Sequence, residues 1–419
     1  MIHTGCNSES LSHSVERMLL LLIEVLLSLY FLYFVVAVYF ESSKAQYPPG
    51  IACHSELRKL HRLLMFFMVL GNTIGTRSEF ILLNFLAKLF LEKSENDPEL
   101  VTKNFTFEGV HVRVYQPQES SARSRKAVLF FHGGGLMIGD IELYDRLCRY
   151  ISKEAGVVVV SVGYRLAPKH QHPAAFEDCL NATIHLLKNA QDYGVDPSSV
   201  IICGDSAGGH LTASVSQALV TRMDVPKPLA QVLIYPSVQF IDFNLPSYQQ
   251  NQYVPPLFRE RALFYILHYV AKGNLSVLKD FQNGSHIPLD LRKKFSKWFS
   301  SDNIPDEFKL RGYKPHVMSA FDKNVYEKLK HVLEPLCSPL VAEDSVFRRL
   351  PKTYILTCEF DVLCNDGILY KKRLEDNGVS VTWHHVKDGF HGIINFYDQW
   401  DCESGKRAVE GIISFIRDA

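Results

Sequence analysis

The feature that most constrains this chain is a series of short, largely apolar runs. They are Ala127–Phe131, Val157–Val162, Val200–Cys203, Gln231–Tyr235, Thr353–Thr357 and Val379–Trp383, most of them separated by helix-length intervals. A strand with one wet face alternates apolar and polar residues, whereas a strand covered on both faces can be apolar throughout. Buried strands joined by helical crossovers predict an α/β fold, a mainly parallel and doubly wound sheet. Val110–Tyr115 instead alternates with period two, and the polar stretch Gln118–Lys126 separates it from Ala127–Phe131, a pattern that reads as a hairpin. Residues 240–325 contain no buried-strand run and read as a cap insertion over the carboxyl edge of the sheet. No repeat or low-complexity segment interrupts this region.

The amino-terminal part follows different rules. Met18 to Phe40 carries a single charge, Glu24, and is long enough to cross a bilayer as a helix. A cleaved signal peptide is the competing reading, but its apolar region spans only about 7–15 residues, and Glu41-Ser42-Ser43-Lys44 offers no small-x-small cleavage site. The reading adopted is a short cytosolic tail over 1–17, a transmembrane signal-anchor helix over 18–40, a helical cap or membrane-proximal segment over 41–108, and a catalytic domain over 109–419. The apolar runs Leu63–Leu70 and Phe80–Ala87 in the third segment are each too short to span a membrane. Arg17 and Lys44 flank the anchor almost symmetrically, so positive charge does not orient it. The sequons at Asn104, Asn181, Asn274 and Asn283 all follow it. About two would arise by chance at this composition, and all would be accessible if the domain faced the endoplasmic reticulum lumen.

Lys plus Arg and Asp plus Glu both number 45, so no global field draws the chain toward nucleic acid. The nine cysteines form no C-x-x-C pairs and do not cluster with histidine, which argues against a zinc or redox site and leaves buried thiols with one or two disulfides.

Two glycine-rich motifs carry the chemistry. Gly204-Asp205-Ser206-Ala207-Gly208 is a G-x-S-x-G sequence between the strand ending at Cys203 and a helical pattern through Leu211, Val215 and Leu219. That strand–turn–helix setting lifts a serine hydroxyl above a sheet. His132-Gly133-Gly134-Gly135 follows the strand ending at Phe131, where the amides of Gly133 and Gly134 would converge with that of Ala207 on an oxyanion. No Lys-Ser or Lys-Thr follows, so a phosphate loop is disfavoured.

A serine needs a base and an orienting acid, here in the chain order Ser, Asp, His. His391 lies just beyond the last strand, whereas His384 and His385 lie within it. Asp361 follows the strand Thr353–Thr357, with Asp366 as the competing carboxylate. Asp205 adjoins Ser206 in sequence and is assigned to local hydrogen bonding.

These motifs, with Tyr164-Arg165-Leu166-Ala167-Pro168, Phe176-Glu177-Asp178, the segment CEFDVLCNDG around Asp361, and Asp388-Gly389-Phe390-His391, resemble the arylacetamide deacetylase family in the hormone-sensitive-lipase-like branch of the α/β-hydrolases. The resemblance covers most of the chain. It implies Ser206 as nucleophile, Asp361 as acid, His391 as base, and His132 to Gly135 with Ala207 as the oxyanion hole. It also implies a hydrophobic acyl ester, lipid or aryl amide substrate, no metal or cofactor, and a single-pass, lumen-facing arrangement. Where relatives commonly have an aromatic residue and then cysteine after the triple glycine, this chain has Leu136-Met137, which puts in doubt both the acyl-pocket shape and a disulfide from this loop to the Cys358 region. A catalytically silent hydrolase fold is the alternative from another class, and no triad residue is lost in its favour.

Overall fold

The computed structural model describes residues 8–75, 81–85, 97–118 and 125–419. Helix α1 (Ser8–Ser43) contains the expected span, and α2 (His54–Ile74) contains Leu63–Leu70. Residues 81–85 are helical, while Phe80, Leu86 and Ala87 of the second apolar run lie outside the described residues. The polar stretch after Gln118 is likewise described only at its ends.

From residue 100 the chain builds one eight-stranded sheet. Its elements are β1 (Leu100–Phe107), β2 (Val110–Pro117), β3 (Arg125–Phe131), α3 (Asp145–Ala155), β4 (Val158–Gly163), α4 (Ala174–Lys188), β5 (Val195–Asp205), α5 (Ala207–Val220) and β6 (Ala230–Ile234). After a long helical insertion come β7 (Lys352–Phe360), α6 (Cys364–Asp376), β8 (Val381–Phe390) and α7 (Glu403–Asp418). The strand order is β1-β2-β4-β3-β5-β6-β7-β8. All pairs from β4 to β8 are parallel, and the two involving β2 are antiparallel.

Apolar side chains on the two faces form separate clusters, one against α4, α5 and α6, the other against α3 and α7. In α7 the buried residues Ser404, Ala408, Val409, Ile412, Ile413 and Ile416 recur at helical spacing.

Three expectations need correction. The hairpin joins β2 to β1, not to Ala127–Phe131, because β3 pairs parallel with β4 and β5. Its turn is Glu108-Gly109, both at positive φ, the backbone that matches the twist of a two-residue hairpin. The helical reading of 41–108 therefore stops short, since Leu100–Phe107 is the sheet's edge strand. The insertion also exceeds 240–325: from Tyr235 to Pro351 the chain forms only short helices and loops.

Cys53, just before α2, is bonded to Cys402, just before α7, across a sequence separation of 349. The Ala52 amide also donates to the Asp388 carbonyl at 2.8 Å. The segment between α1 and α2 is thus fastened to the loop that carries His391. In contrast, Cys358 is a buried free thiol. Replacing Cys53 and Cys402 together by alanine should lower unfolding stability by about 2–5 kcal/mol, read as a fall in melting temperature. An unchanged melting temperature would contradict a tie at this position.

Candidate active site

Ser206 occupies the sharp corner between β5 and α5. Its φ of 54° and ψ of −115° lie where L-residues pay steric strain. The neighbours make this corner possible. A Cβ on Gly208 would overlap the Phe131 carbonyl, and one on Gly204 would overlap the backbone of Gly208. Both positions need glycine because backbone approaches backbone there. The Ser206 amide donates to the Ile234 carbonyl at 2.8 Å, which pins the corner to the adjacent strand.

Two loops from the same sheet edge bring the other expected residues to this serine. His391 Nε2 lies 2.8 Å from Ser206 Oγ, and His391 Nδ1 lies 2.8 Å from Asp361 Oδ2. Asp361 is fully buried, and its Oδ1 accepts the Leu363 amide at 2.9 Å. The ring of Tyr235 sits 4.8 Å from the His391 ring, walling one side. Asp366 is elsewhere: its carboxylate accepts from Gln239 Nε2 and the Val238 amide, and burial pushes it up to about 8. His384 meets Tyr354, and His385 meets Thr357 and Glu359, so neither reaches Ser206.

The insertion holds the acid loop from above, a role that local sequence did not signal. Buried Asn251 donates through Nδ2 to the carbonyls of Asp361 at 2.9 Å and Glu359 at 3.1 Å. Arg311 donates to Asn251 Oδ1 and to Glu359, each at 3.0 Å. Ser247 Oγ donates to the Val362 carbonyl at 2.6 Å and accepts the Asn365 amide at 3.1 Å. These contacts span from 48 to 118 residues of sequence, so no motif could have revealed them.

The triple-glycine loop departs from expectation in one detail. The Gly133 amide donates to Tyr144 Oη at 3.1 Å, and that hydroxyl donates to Asp205 Oδ2 at 3.0 Å. Gly133 packs so closely on Asp205 that a Cβ would meet Oδ2 at 2.5 Å. Its amide is therefore committed to the Tyr144–Asp205 pair, and burial raises the Asp205 carboxyl to about 6. Among the described residues, no acceptor takes the amides of Gly134, Gly135 or Ala207. Gly134 and Gly135 adopt φ of 107° and 63°, which turns the loop so that the Gly134 carbonyl accepts from Met137 and Ile138. His132 shapes the loop rather than facing the serine. It is buried, its Nδ1 lies 2.8 Å from the Gly133 carbonyl, and its own carbonyl accepts from Tyr164 Oη at 2.6 Å.

A family model described as the alpha/beta hydrolase fold matches residues 128–278 and 291–395. Arylacetamide deacetylase-like 4 from Homo sapiens is 41% identical over 391 residues, 92% of this chain and 95% of that protein. The chain belongs to the arylacetamide deacetylase-like family of α/β-hydrolases. The chain is also similar to neutral cholesterol ester hydrolase 1 from Rattus norvegicus, 38% identical over 337 residues, 78% of this chain and 82% of that protein. Among solved structures, the monoclinic form of the Pyrobaculum calidifontis esterase aligns with a TM-score of 0.55 at 27% identity, covering 82% of this chain and 92% of that one.

Proposed function

We propose that this α/β-hydrolase is a serine carboxylic-ester hydrolase acting through a covalent acyl-serine intermediate. The observation that carries the reading is the pair of 2.8 Å contacts that link Ser206 Oγ to His391 and His391 to buried Asp361. In the proposed reaction His391 Nε2 takes the Ser206 proton as Oγ attacks the acyl carbon. Asp361 keeps the Nδ1 proton in place and stabilises the imidazolium. The oxyanion forms against the amide of Ala207, at the start of α5, and the amides of Gly134 and Gly135. His391 then returns its proton to the leaving group, and a water, deprotonated by the same ring, releases the acid and regenerates Ser206.

Hydrophobic acyl esters, lipids or aryl amides are the proposed substrates, consistent with relatives whose names include an arylacetamide deacetylase and a neutral cholesterol ester hydrolase. Val15–Ser43 within α1 is long and apolar enough to cross a membrane, and none of its most apolar window is buried against the protein. We read it as a retained anchor with the catalytic domain in the endoplasmic reticulum lumen. Asn104 and Asn181 are exposed, as glycan acceptors must be, whereas Asn274 and Asn283 are partly covered.

In p-nitrophenyl butyrate hydrolysis, Asp361→Asn should lower kcat by about 10⁴-fold, with Asp366→Asn far milder. Comparable losses in both would remove Asp361 from its proposed role. For the lumenal orientation, glycosidase treatment of the protein expressed in animal cells should increase its gel mobility, and Asn104→Gln with Asn181→Gln should shrink that shift. No shift in the parent protein would overturn the orientation.

A further inference from the structure

Helix α2 changes character along its outer side. The i+4 row Arg58, Arg62, Phe66, Leu70 and Ile74 is charged at its start and apolar from Phe66 onward, and all of it except half-buried Leu70 is exposed. The opposite side, with Leu57, His61, Met65 and Val69, is buried against the protein. The helical residues 81–85 repeat the arrangement. Leu83 is buried and lines the same cavity as Met65 and Met68, whereas Ile81 and Phe85, one turn apart, are exposed. Single exposed apolar side chains are ordinary, but a row of them along one helix side marks a surface that something covers.

The neighbouring helix shows what that cover is. α1 and α2 run antiparallel: Glu41 acts electrostatically on His61, while Phe34, two turns earlier in α1, meets Phe66, further along α2, with ring centroids 5.2 Å apart. Charge ends at the same level on both helices. In α1, Glu41 and Lys44 lie beyond the apolar run that closes at Phe40, and in α2 Arg62 precedes Phe66. Phe34 stands six residues inside that run, about 9 Å along the helix axis. Phe66, in contact with it, therefore lies at a depth where α1 faces hydrocarbon. A surface for another protein has no need to turn from charged to apolar at the level where the anchor does. The polar groups further along α2 are accounted for, since Thr73 donates to the Leu70 carbonyl at 2.7 Å and Asn72 lines the cavity.

We propose that Phe66, Leu70 and Ile74, together with Ile81 and Phe85, are seated in the acyl region of the phospholipid leaflet that α1 leaves at Phe40, with Arg58 and Arg62 at its phosphates. The side chains suit both levels. Arg62 is exposed and forms no ion pair among the described residues. The Arg58 guanidinium lies 5.0 Å over the ring of Tyr47, an amphipathic ring of the kind that sits among headgroups. Both arginines can reach phosphate while their stems lie along apolar surface. The catalytic domain is then docked on the bilayer along α2 rather than suspended from one helix, which fixes its height and tilt. The inference rests on the reading of α1 as a retained anchor.

The test uses the full chain carrying Cys6→Ser in phosphatidylcholine vesicles, a background in which the free cysteines of the described residues are all buried. Phe66→Cys, Ile74→Cys and Arg62→Cys are each made singly and given a nitroxide label. Electron paramagnetic resonance then reads the depth of the label from its accessibility to oxygen and to a water-soluble nickel chelate. Leu27→Cys, within the apolar run of α1, serves as the hydrocarbon reference, and Met223→Cys, exposed beyond the far end of α5, as the water reference. Labels at Phe66→Cys and Ile74→Cys should lie about 5–10 Å below the phosphates, and the label at Arg62→Cys close to them. If Leu27→Cys reports hydrocarbon while Phe66→Cys and Ile74→Cys match Met223→Cys, the docking is overturned and the anchor stands. A label at Leu27→Cys that reports water would overturn the anchor reading and the docking with it.

Discussion

Everything at the candidate site depends on one close backbone approach, that of Gly208 at the start of α5 to the carbonyl of Phe131 at the end of β3. Without side chains at Gly204 and Gly208, the helix can begin directly against the sheet, and the residue between them is forced into the strained corner that Ser206 occupies. The same approach sets the triple-glycine loop, which leaves β3 one residue after Phe131, beside the amide of Ala207. Parallel pairing then does the rest. Because β5, β6, β7 and β8 run in one direction, the loops bearing Ser206, Asp361 and His391 emerge at one edge.

A strained corner persists only where its surroundings hold it, and here they are largely polar and buried. Tyr144 joins the Gly133 amide to Asp205, Tyr235 reaches the same carboxylate at 3.3 Å, and Asn251 with Arg311 anchors the backbone around Asp361. The insertion is thus more than a cover, because it fixes the height of the acid loop above the sheet. The Cys53–Cys402 bond and the Ala52–Asp388 hydrogen bond extend that control to the membrane-proximal segment, which meets the body beside the His391 loop.

Much of this was legible in the sequence because it is local. Continuous apolar runs announced a sheet buried on both faces, and the glycine spacing around Ser206 has a steric cause that letters alone can express. His391 could be nominated from its place after the last strand. Asp361 could not be separated from Asp366 by local sequence. The two lie five residues apart, and only the three-dimensional path of the loop decides which one faces the imidazole. The first hairpin was missed because β1 is half-exposed at the sheet edge and follows an apolar helical region, although alternation from Phe105 through Val114 about Glu108-Gly109 carried the signal. The commitment of the Gly133 amide to Tyr144 was hidden for a different reason, since it depends on where α3 begins rather than on the glycine loop itself.

The central claim is that Ser206 is the nucleophile, and chemical trapping reaches it most directly. The full chain is treated with a fluorophosphonate, digested, and searched by mass spectrometry for the modified peptide. A single phosphonylated residue at Ser206, formed in the folded protein and lost after heat denaturation, is the predicted result. A phosphonate on another serine, or no adduct on folded protein that has bound a hydrophobic ester, would contradict the account.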